Sequence, residues 1–259
     1  MVSWNQWTNK KLLITARTYP APSKKSIEIS CTAGIQDDGT WIRLFPVPYR
    51  FMNRDKRFRK YQYIEASVVK SQSDTRPESY KINIDTIKIL SEPIPSKNKW
   101  EKRKEILFAL KSPSLCFLQE ERDRNKEPTL GFFKPGTISS FQIEPTSHEW
   151  SEHELASLRQ YPLFGNVPRT ELEKLPYVFS YEFKCDNPNC PTHKLSCTDW
   201  EIGASYLSWR YKYGKDWEAK FRDKYETEMI LKKDTHFLVG TVSTHPNAWI
   251  IIGLFYPPK

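Results

Sequence analysis

Four side chains that commonly bind zinc lie within thirteen residues of this chain: Cys185, Cys190, His193 and Cys197. Their spacing is C-x4-C-x2-H-x3-C, and thiolates with an imidazole hold tetrahedral Zn²⁺ in structural sites. The Asp, Asn and Pro residues between them favour the tight turns that let a short loop wrap one ion. One helical turn from His193 to Cys197 would place both on one face. The stretch therefore predicts a structural zinc site. The alternative is a set of buried thiols and a core histidine beside a surface loop.

A second candidate site is the basic stretch, residues 49–61, which holds six Lys or Arg residues and four aromatic residues. Cations attract phosphates and aromatic faces stack on bases, so this pattern is typical of proteins that bind single-stranded or distorted nucleic acid. The alternative is a solvated loop whose aromatic side chains anchor the core. The candidate contacts within and beside the stretch are Trp41, Arg43, Arg50, Arg54, Arg57, Phe58, Arg59, Lys60, Arg76 and Tyr80.

The charge distribution favours a polyanionic partner for the first part of the chain. The net charge is +9, and residues 1–70 hold 13 Lys or Arg against 5 Asp or Glu. Such a local excess attracts nucleic acid or nucleotides. Residues 185–259 are close to neutral, so we interpret the zinc site as a brace for the fold and not as a nucleic-acid reader.

The cysteine count and the hydropathy indicate the cellular compartment. Five cysteines do not form a paired disulfide framework, and Cys31 and Cys116 lie in apolar surroundings that predict core positions. No apolar run reaches the roughly 18 residues that a membrane span needs, and the first residues lack the apolar segment of a signal peptide. We therefore expect a cytoplasmic protein with reduced thiols and no membrane partner.

Acidic residues near two predicted helix starts offer a catalytic alternative. Carboxylates there could bind the metal ions of a nuclease, although helix capping explains them as well. No GxSxG, P-loop or HExxH pattern is present, so the catalytic residues stay unknown. The candidates are Asp199, Glu201, Asp216 and Glu218, with His236 and His245 near the C-terminal strands.

Periodicity and turn signals predict strands in both halves of the chain and helices between them. Five short strands in the first 90 residues suggest a small barrel or a strongly curved sheet. The predicted strands are 12–16, 28–35, 40–45, 61–70, 81–90, 130–144, 177–184, 236–242 and 248–255. The predicted helices are 99–110, a short one from 113, 151–160, 198–213 and 216–231, and residues 120–128 are predicted to be a charged loop. Ser151 with Glu154, and Thr198 with Glu201, have the spacing of capping boxes at two of these helix starts.

Five groups of segments share a pattern with one group of proteins: ARTYPAPSKK (16–25), CTAGIQDDGTWIRLFPVPYR (31–50), DTRPESYKI (74–82), Cys190-x-x-His193 with DWE (199–201), and THFLVGT (235–241) with WIIIGLFYPPK (249–259). These segments resemble bacterial proteins that carry a dual OB-containing domain. The resemblance covers most of the chain and implies two OB-like barrels, in a bacterial setting near phage-defence or mobile-element genes. Cys197 does not match the group's pattern; without it, water or a carboxylate such as Asp199 would complete the metal site.

Together these observations predict an α+β protein made of two small OB-like β-barrels with helical insertions and a zinc-binding loop. We expect a basic N-terminal barrel over 1–95, a helical connector over 96–128, and a second barrel with helices and the zinc loop over 129–259. The predicted function is a zinc-stabilised nucleic-acid-binding accessory of phage defence or of a mobile element. The alternatives are a nuclease or nucleotide-processing enzyme using Asp199 and Glu201, and a subunit that binds a protein partner in a defence complex.

Overall fold

A computed structural model describes residues 6–24, 27–160 and 167–259. Its strands are β1 (Thr8–Arg17), β2 (Ala21–Ser23), β3 (Ile27–Gln36), β4 (Trp41–Val47), β5 (Tyr63–Lys70), β6 (Ser79–Ile89), β7 (Leu130–Phe133), β8 (Thr137–Pro145), β9 (Tyr177–Lys184), β10 (His193–Ser196), β11 (His236–Val242) and β12 (His245–Phe255). Its α-helices are α1 (Glu101–Phe108), α2 (Leu115–Asn125), α3 (Glu152–Leu158), α4 (Trp200–Tyr213) and α5 (Trp217–Arg222). Short 3-10 turns span Tyr49–Phe51, Arg54–Lys56, Asn98–Trp100 and Gly214–Asp216, and a π-helical segment spans Asp223–Lys232.

The chain folds as two compact units. The first unit comprises Met1–Ile94 and Ser147–Lys174, and the second comprises Pro95–Thr146 and Leu175–Lys259. Among the described residues, 147–160 and 167–174 cluster with the first unit, whereas the sequence-based division assigned 129–259 to the second barrel.

The first unit contains a closed five-stranded β-barrel. Its strands follow the order β1-β5-β6-β4-β3, and a β1–β3 pairing closes the ring. Strand β1 pairs with β5 through residues 8–13 and with β3 through residues 12–17, with an irregularity after Ile14 that lets it bend between them. Strands β4 and β6 are parallel, and the other pairings within the ring are antiparallel. The predicted small barrel is confirmed, and its strand order is consistent with an OB-like barrel.

Apolar side chains at alternating strand positions fill the interior of this barrel, because successive side chains of a strand point to opposite faces. Gly34 lies where β3 crosses β1 closely: a Cβ atom there would be 2.8 Å from the Leu13 carbonyl oxygen. The core residues are Leu12, Ile14, Ile42, Leu44, Val47, Met52, Phe58, Ile64, Ala66, Val68, Ile82 and Ile87.

The second unit contains two three-stranded sheets. One has the order β10-β9-β8 and the other β12-β11-β7. A single parallel bridge joins Cys197, just after β10, to Ile251 in β12. The unit is therefore α+β as predicted, but these pairings by themselves do not close a second barrel.

An aromatic core fills the second unit. The Phe221 and Tyr225 rings are 4.5 Å apart, and the Tyr181 hydroxyl donates to the Tyr225 carbonyl oxygen at 2.6 Å. Burial raises the pKa of both tyrosines, so these hydroxyls stay protonated and act as hydrogen-bond groups. Other members of the core include Phe133, Phe141, Phe179, Phe183, Tyr206, Phe237 and Trp249.

The helix starts confirm one capping prediction and correct another. Ser151 and Glu154 form the predicted capping box of α3. The N-cap of α4 is Asp199 and not Thr198, whose hydroxyl donates to the Ile251 carbonyl oxygen instead. Helix α2 runs through 120–125, part of the predicted charged loop, because Ser114 caps its start. Glu120, Asp123 and Arg124 face solvent, while buried Arg122 donates to the carbonyl oxygens of Pro246 and Lys126. None of the helices in the described ranges combines the length and apolar composition that crossing a membrane requires.

Candidate metal centre and arginine cleft

Cys116, Cys185, Cys190 and His193 form a cluster whose four candidate ligand atoms all lie within 4.8 Å of one another. The Cys116 and Cys190 Sγ atoms are 3.5 Å apart, and His193 Nε2 is 3.3 Å from the first and 3.2 Å from the second. In a tetrahedral zinc site, bonds of about 2.3 Å to sulfur and 2.0–2.1 Å to nitrogen place neighbouring ligand atoms about 3.5–3.8 Å apart. The cluster is therefore close to the size that one ion needs.

The loop between β9 and β10 brings three of these ligands together. Cys185 follows β9 directly and His193 begins β10. Between them, Asn187 accepts a hydrogen bond from the Cys190 amide on its carbonyl oxygen at 3.0 Å and from the Asn189 amide on its side chain at 2.9 Å. The Cys185 amide donates to Cys190 Sγ at 3.1 Å, which fixes the position of that sulfur within the loop.

Gly136 lets the chain before β8 pack against this loop. Its amide donates to the Lys184 carbonyl oxygen at 2.9 Å. A Cβ atom on Gly136 would lie 2.7 Å from the Asp186 amide nitrogen and 2.8 Å from the Cys185 carbonyl carbon. Both are backbone atoms, so only glycine fits there without a shift of the loop.

Cys116, and not Cys197, supplies the fourth candidate ligand. We expected a helical turn from His193 to Cys197, but residues 193–196 form a strand, in which four residues span about 13 Å. Cys197 is buried beside β12, and its amide donates to the Phe179 carbonyl oxygen at 2.7 Å. Cys116, which we predicted to be a core residue, reaches the loop from the first turn of α2.

The protonation chemistry of the cluster suits a cation. Burial, and then the neighbouring thiols of Cys190 and Cys185, raise the pKa of Cys116 to about 12. Burial lowers the pKa of His193, which favours the neutral imidazole that binds metals. Thiols crowded in this way resist ionisation alone, whereas a bound divalent cation stabilises their thiolates. Three cysteines and one histidine thus fit a metal ion.

Four arginines surround a cleft of about 450 Å³ in the first unit, here named the arginine cleft. Arg50, Arg54 and Arg57 come from the basic stretch, and all three line this cleft. Arg169 was not predicted, since it lies more than 100 residues away and no local pattern marks it. The remaining lining residues are Val167, Pro168 and Thr170.

The basic stretch is held by buried anchors. Met52 and Phe58 are buried in the barrel core, and the Tyr49 hydroxyl donates to the Phe58 carbonyl oxygen at 2.7 Å. Arg57 is oriented by two carbonyl oxygens: its Nε donates to Met52 at 3.0 Å and its Nη2 to Arg50 at 2.6 Å. The basic stretch therefore presents at least the Arg57 guanidinium in a fixed direction.

Arg50 is fixed by a buried carboxylate. Its Nη1 lies 3.2 Å from Glu28 Oε2, and its Nη2 donates to the Thr170 carbonyl oxygen. Burial raises the pKa of Glu28, and the charge of Arg50 opposes that rise. Arg54 and Arg169 are exposed. Within the described residues, no carboxylate forms an ion pair with Arg54, Arg57 or Arg169.

Three predicted contact residues have structural roles instead. Arg43 is 2% exposed and its Nη2 lies 2.9 Å from Glu78 Oε1. The Arg76 guanidinium lies 2.5 Å from the Asp74 carboxylate, and both are buried. Phe58 is a core side chain that cannot stack on a base. Their burial removes all three from the binding surface that we predicted.

The other predicted contacts lie outside the lining of the arginine cleft. Trp41 and Tyr80 are half-buried, and Lys10 and Lys70 lie 5.6 and 4.8 Å from the Tyr80 ring centre. The Arg59 side chain is 62% exposed and pairs with Glu92 at 2.5 Å. Lys60 lies 5.7 Å from the centre of the Tyr61 ring.

Of the acidic candidates, Asp199 caps a helix through its side chain. Asp199 is 1% exposed; one carboxylate oxygen accepts from the Glu201 amide at 2.9 Å and the other from the Leu254 amide at 2.7 Å. His236 is buried against the Phe132 ring, and burial lowers its pKa. These side chains have packing roles and lie away from solvent. Of the remaining candidates, Glu201, Asp216, Glu218 and His245 are exposed.

Two protein families match the chain, and their descriptions leave function open. Residues 111–259 match the family described as domain of unknown function DUF8757, and residues 8–109 match domain of unknown function DUF8758. The junction falls between α1 and α2. A search of curated proteins returned no match.

Proposed function

Since this chain belongs to the DUF8757 family, whose description states no activity, we propose a function from the side chains themselves. The first unit binds nucleic acid through the arginine cleft and its surroundings. A zinc ion stabilises the second unit.

The observation that carries this proposal is the charge of the arginine cleft. Arg54, Arg57 and Arg169 converge on one concave surface without carboxylate partners among the described residues. Guanidinium groups bind phosphate oxygens through paired, charge-assisted hydrogen bonds. Uncompensated charge of this kind is unfavourable in an isolated protein and is relieved by a polyanion.

The barrel supports the same function. Its closed ring, with a long curved β1 and parallel β4 and β6, is the OB-like arrangement that commonly binds single strands. The basic stretch is the β4–β5 connection of this ring, and its buried anchors keep the arginines at the surface.

The second unit repeats this pattern as an open OB-like barrel. Strands β7 and β8 act as one strand interrupted near Pro135 and Gly136: the first half pairs with β11 and the second with β9. Strand β1 divides its pairing between β5 and β3 in the same way. The parallel Cys197–Ile251 bridge corresponds to the parallel β4–β6 pair. This correspondence supports the dual OB-containing resemblance seen in the sequence.

Zinc is the proposed ion because the ligand set has three thiols and one imidazole. Such sets with four protein ligands are closed structural sites, since no position stays open for substrate. Cys116 would join α2 to the β9–β10 loop through the ion. The metal thereby braces the fold and takes no part in strand contact.

A role in phage defence or a mobile element, with a protein partner in the same complex, rests on the sequence resemblance. Asp199 gives no support to the nuclease alternative, since both of its carboxylate oxygens already accept backbone hydrogen bonds.

Fluorescence anisotropy with labelled single strands and duplexes tests nucleic-acid binding. We expect binding to both at low salt, tighter for single strands, with affinity that falls as salt rises because counterions are released. Exposed Lys215 in the second unit provides a matched control, since Lys215→Ala should leave affinity unchanged. Absence of binding at low salt, or binding indifferent to salt, would refute the proposal.

A further inference from the structure

We infer that the arginine cleft binds a phosphate monoester, the group found at the end of a nucleic-acid strand or on a mononucleotide, in preference to the diesters within a strand. This inference rests on the proposed function and specifies the group that the site selects.

The volume of the site favours an end over a continuous strand. The cleft has a volume of about 450 Å³ and is bounded by two segments of the first unit, residues 50–57 and 167–170. Pockets for small ligands measure roughly 300–1,000 Å³. The volume suits one terminal nucleotide, whereas a groove that follows a strand is longer and open at both ends.

The charge of the site matches a monoester better than a diester. Glu28 compensates Arg50, while Arg54, Arg57 and Arg169 have no carboxylate partner in the described residues. A monoester carries a charge of about −1.5 to −2 near neutral pH and offers three terminal oxygens. A diester carries one charge on two such oxygens. Three guanidinium groups that line one cleft therefore gain more from the monoester.

Part of the site is fixed before ligand binding. Arg50 is held by Glu28 and by the Thr170 carbonyl oxygen, and Arg57 is held by the carbonyl oxygens of Met52 and Arg50. Because these contacts already order the side chains, less rotamer entropy is lost when a phosphate binds. Val167, which is 68% exposed, adds an apolar wall against which a sugar or base can pack.

Binding of short strands of one sequence tests the inference. The strands carry a 5′-phosphate, a 3′-phosphate, or hydroxyls at both ends. A further hydroxyl-ended strand is one nucleotide longer, so that it gains a phosphate as a diester and not as a terminal monoester. We expect one terminal phosphate to tighten binding about tenfold over both hydroxyl-ended strands, the gain typical of one added charge-assisted contact.

Variants locate the preference. Arg54→Ala and Arg169→Ala remove exposed side chains and should abolish the preference for a phosphorylated end while the fold is kept. Arg59→Ala is the matched control, since Arg59 is exposed in the same stretch but does not line the cleft. It should weaken all strands equally and keep the preference.

Competition with adenosine monophosphate distinguishes the two sources of the monoester. Competition as strong as that of the phosphorylated strand identifies a mononucleotide site; much weaker competition, with the strand preference intact, identifies a strand end. Equal binding of phosphorylated and hydroxyl-ended strands overturns the inference and leaves the proposed function standing. Failure to bind any strand overturns both, and a preference that survives Arg54→Ala with Arg169→Ala overturns the assignment to this cleft.

Discussion

At the scale of single residues, the proposed metal site and the site predicted from the sequence differ in their fourth ligand, which is Cys116 in the first and Cys197 in the second. Cys116 Sγ lies 3.3 Å from His193 Nε2, while Cys197 belongs to the backbone bridge with β12. Cys116→Ser should therefore reduce bound zinc well below one ion per chain, and Cys197→Ser should keep it. Metal analysis of both purified variants, with circular dichroism as the control for folding, checks this. Zinc lost only from Cys197→Ser would show that the ligand set is the one predicted from sequence.

Gly136 gives a second prediction at this scale. Gly136→Ala places a Cβ atom against the backbone of Asp186, and relieving that overlap should cost roughly 1–3 kcal/mol of stability. Zinc affinity should fall with it, because the loop that holds Cys185 moves. Gly39→Ala is the control: Gly39 has φ +78° in the first unit, so its replacement costs stability without reaching the metal. Calorimetry with metal analysis measures both effects, and an unchanged zinc affinity in Gly136→Ala would contradict the packing argument.

Spacing along the chain could identify Cys185, Cys190 and His193, because one loop carries all three. It could not identify Cys116 or Arg169, since each reaches its site only through tertiary folding. The sequence also could not show which side chains are buried. Arg43 and Phe58 are residue types that often contact nucleic acid, yet Arg43 pairs with Glu78 and Phe58 packs in the barrel core.

At the scale of elements, Asp199 connects the start of α4 to β12. Asp199→Ala removes acceptors for the Glu201 and Leu254 amides and should destabilise the second unit by roughly 2–4 kcal/mol. Asp216 is the matched control, because it occupies the N-cap of α5 without a side-chain capping bond. Urea unfolding of the two alanine variants measures the difference. Similar stability losses would contradict the stabilising role assigned to the two hydrogen bonds of Asp199.

The β5–β6 connection predicts an acid sensitivity. Burial alone would raise the pKa of Asp74, but hydrogen bonds from Arg76 and Ser79 hold it below its ordinary value of 3.8. A depressed carboxyl pKa stabilises the fold above the unfolded pKa and loses that effect as pH falls through the folded pKa. The melting temperature of the first unit should thus decline below about pH 4. In Asp74→Asn this part of the decline should disappear, and an identical pH profile would contradict the assignment.

Local alternation predicted most strands, and the Ser151–Glu154 box predicted the start of α3, because these signals are local. The predicted helical turn from His193 to Cys197 was wrong, because residues 193–196 pair with β9 as a strand, and spacing along the chain does not reveal that pairing. Closure of the first barrel depends on the β1–β3 and β4–β6 pairings, which join distant segments and leave no local trace.

At the scale of the whole molecule, we propose that the first unit binds nucleic acid and the second unit holds the metal ion. The basic excess lies in residues 1–70 and the metal cluster lies in the second unit. Zinc removal should therefore lower the stability of the second unit before it changes strand affinity. Chelation followed by anisotropy at a temperature where the first unit stays folded measures this. Parallel loss of zinc and affinity at that temperature would show that the metal takes part in binding.

The central claim is that the arginine cleft binds nucleic acid, and the salt dependence of strand affinity tests it most directly. For single strands the slope of log affinity against log salt is about −0.7 for each phosphate contact. The Arg54→Ala, Arg57→Ala and Arg169→Ala triple variant should therefore lower the steepness of that slope by about 0.7 for each phosphate contact that is lost, while Lys215→Ala keeps it. A triple variant that binds with the slope of the unchanged protein would contradict the account.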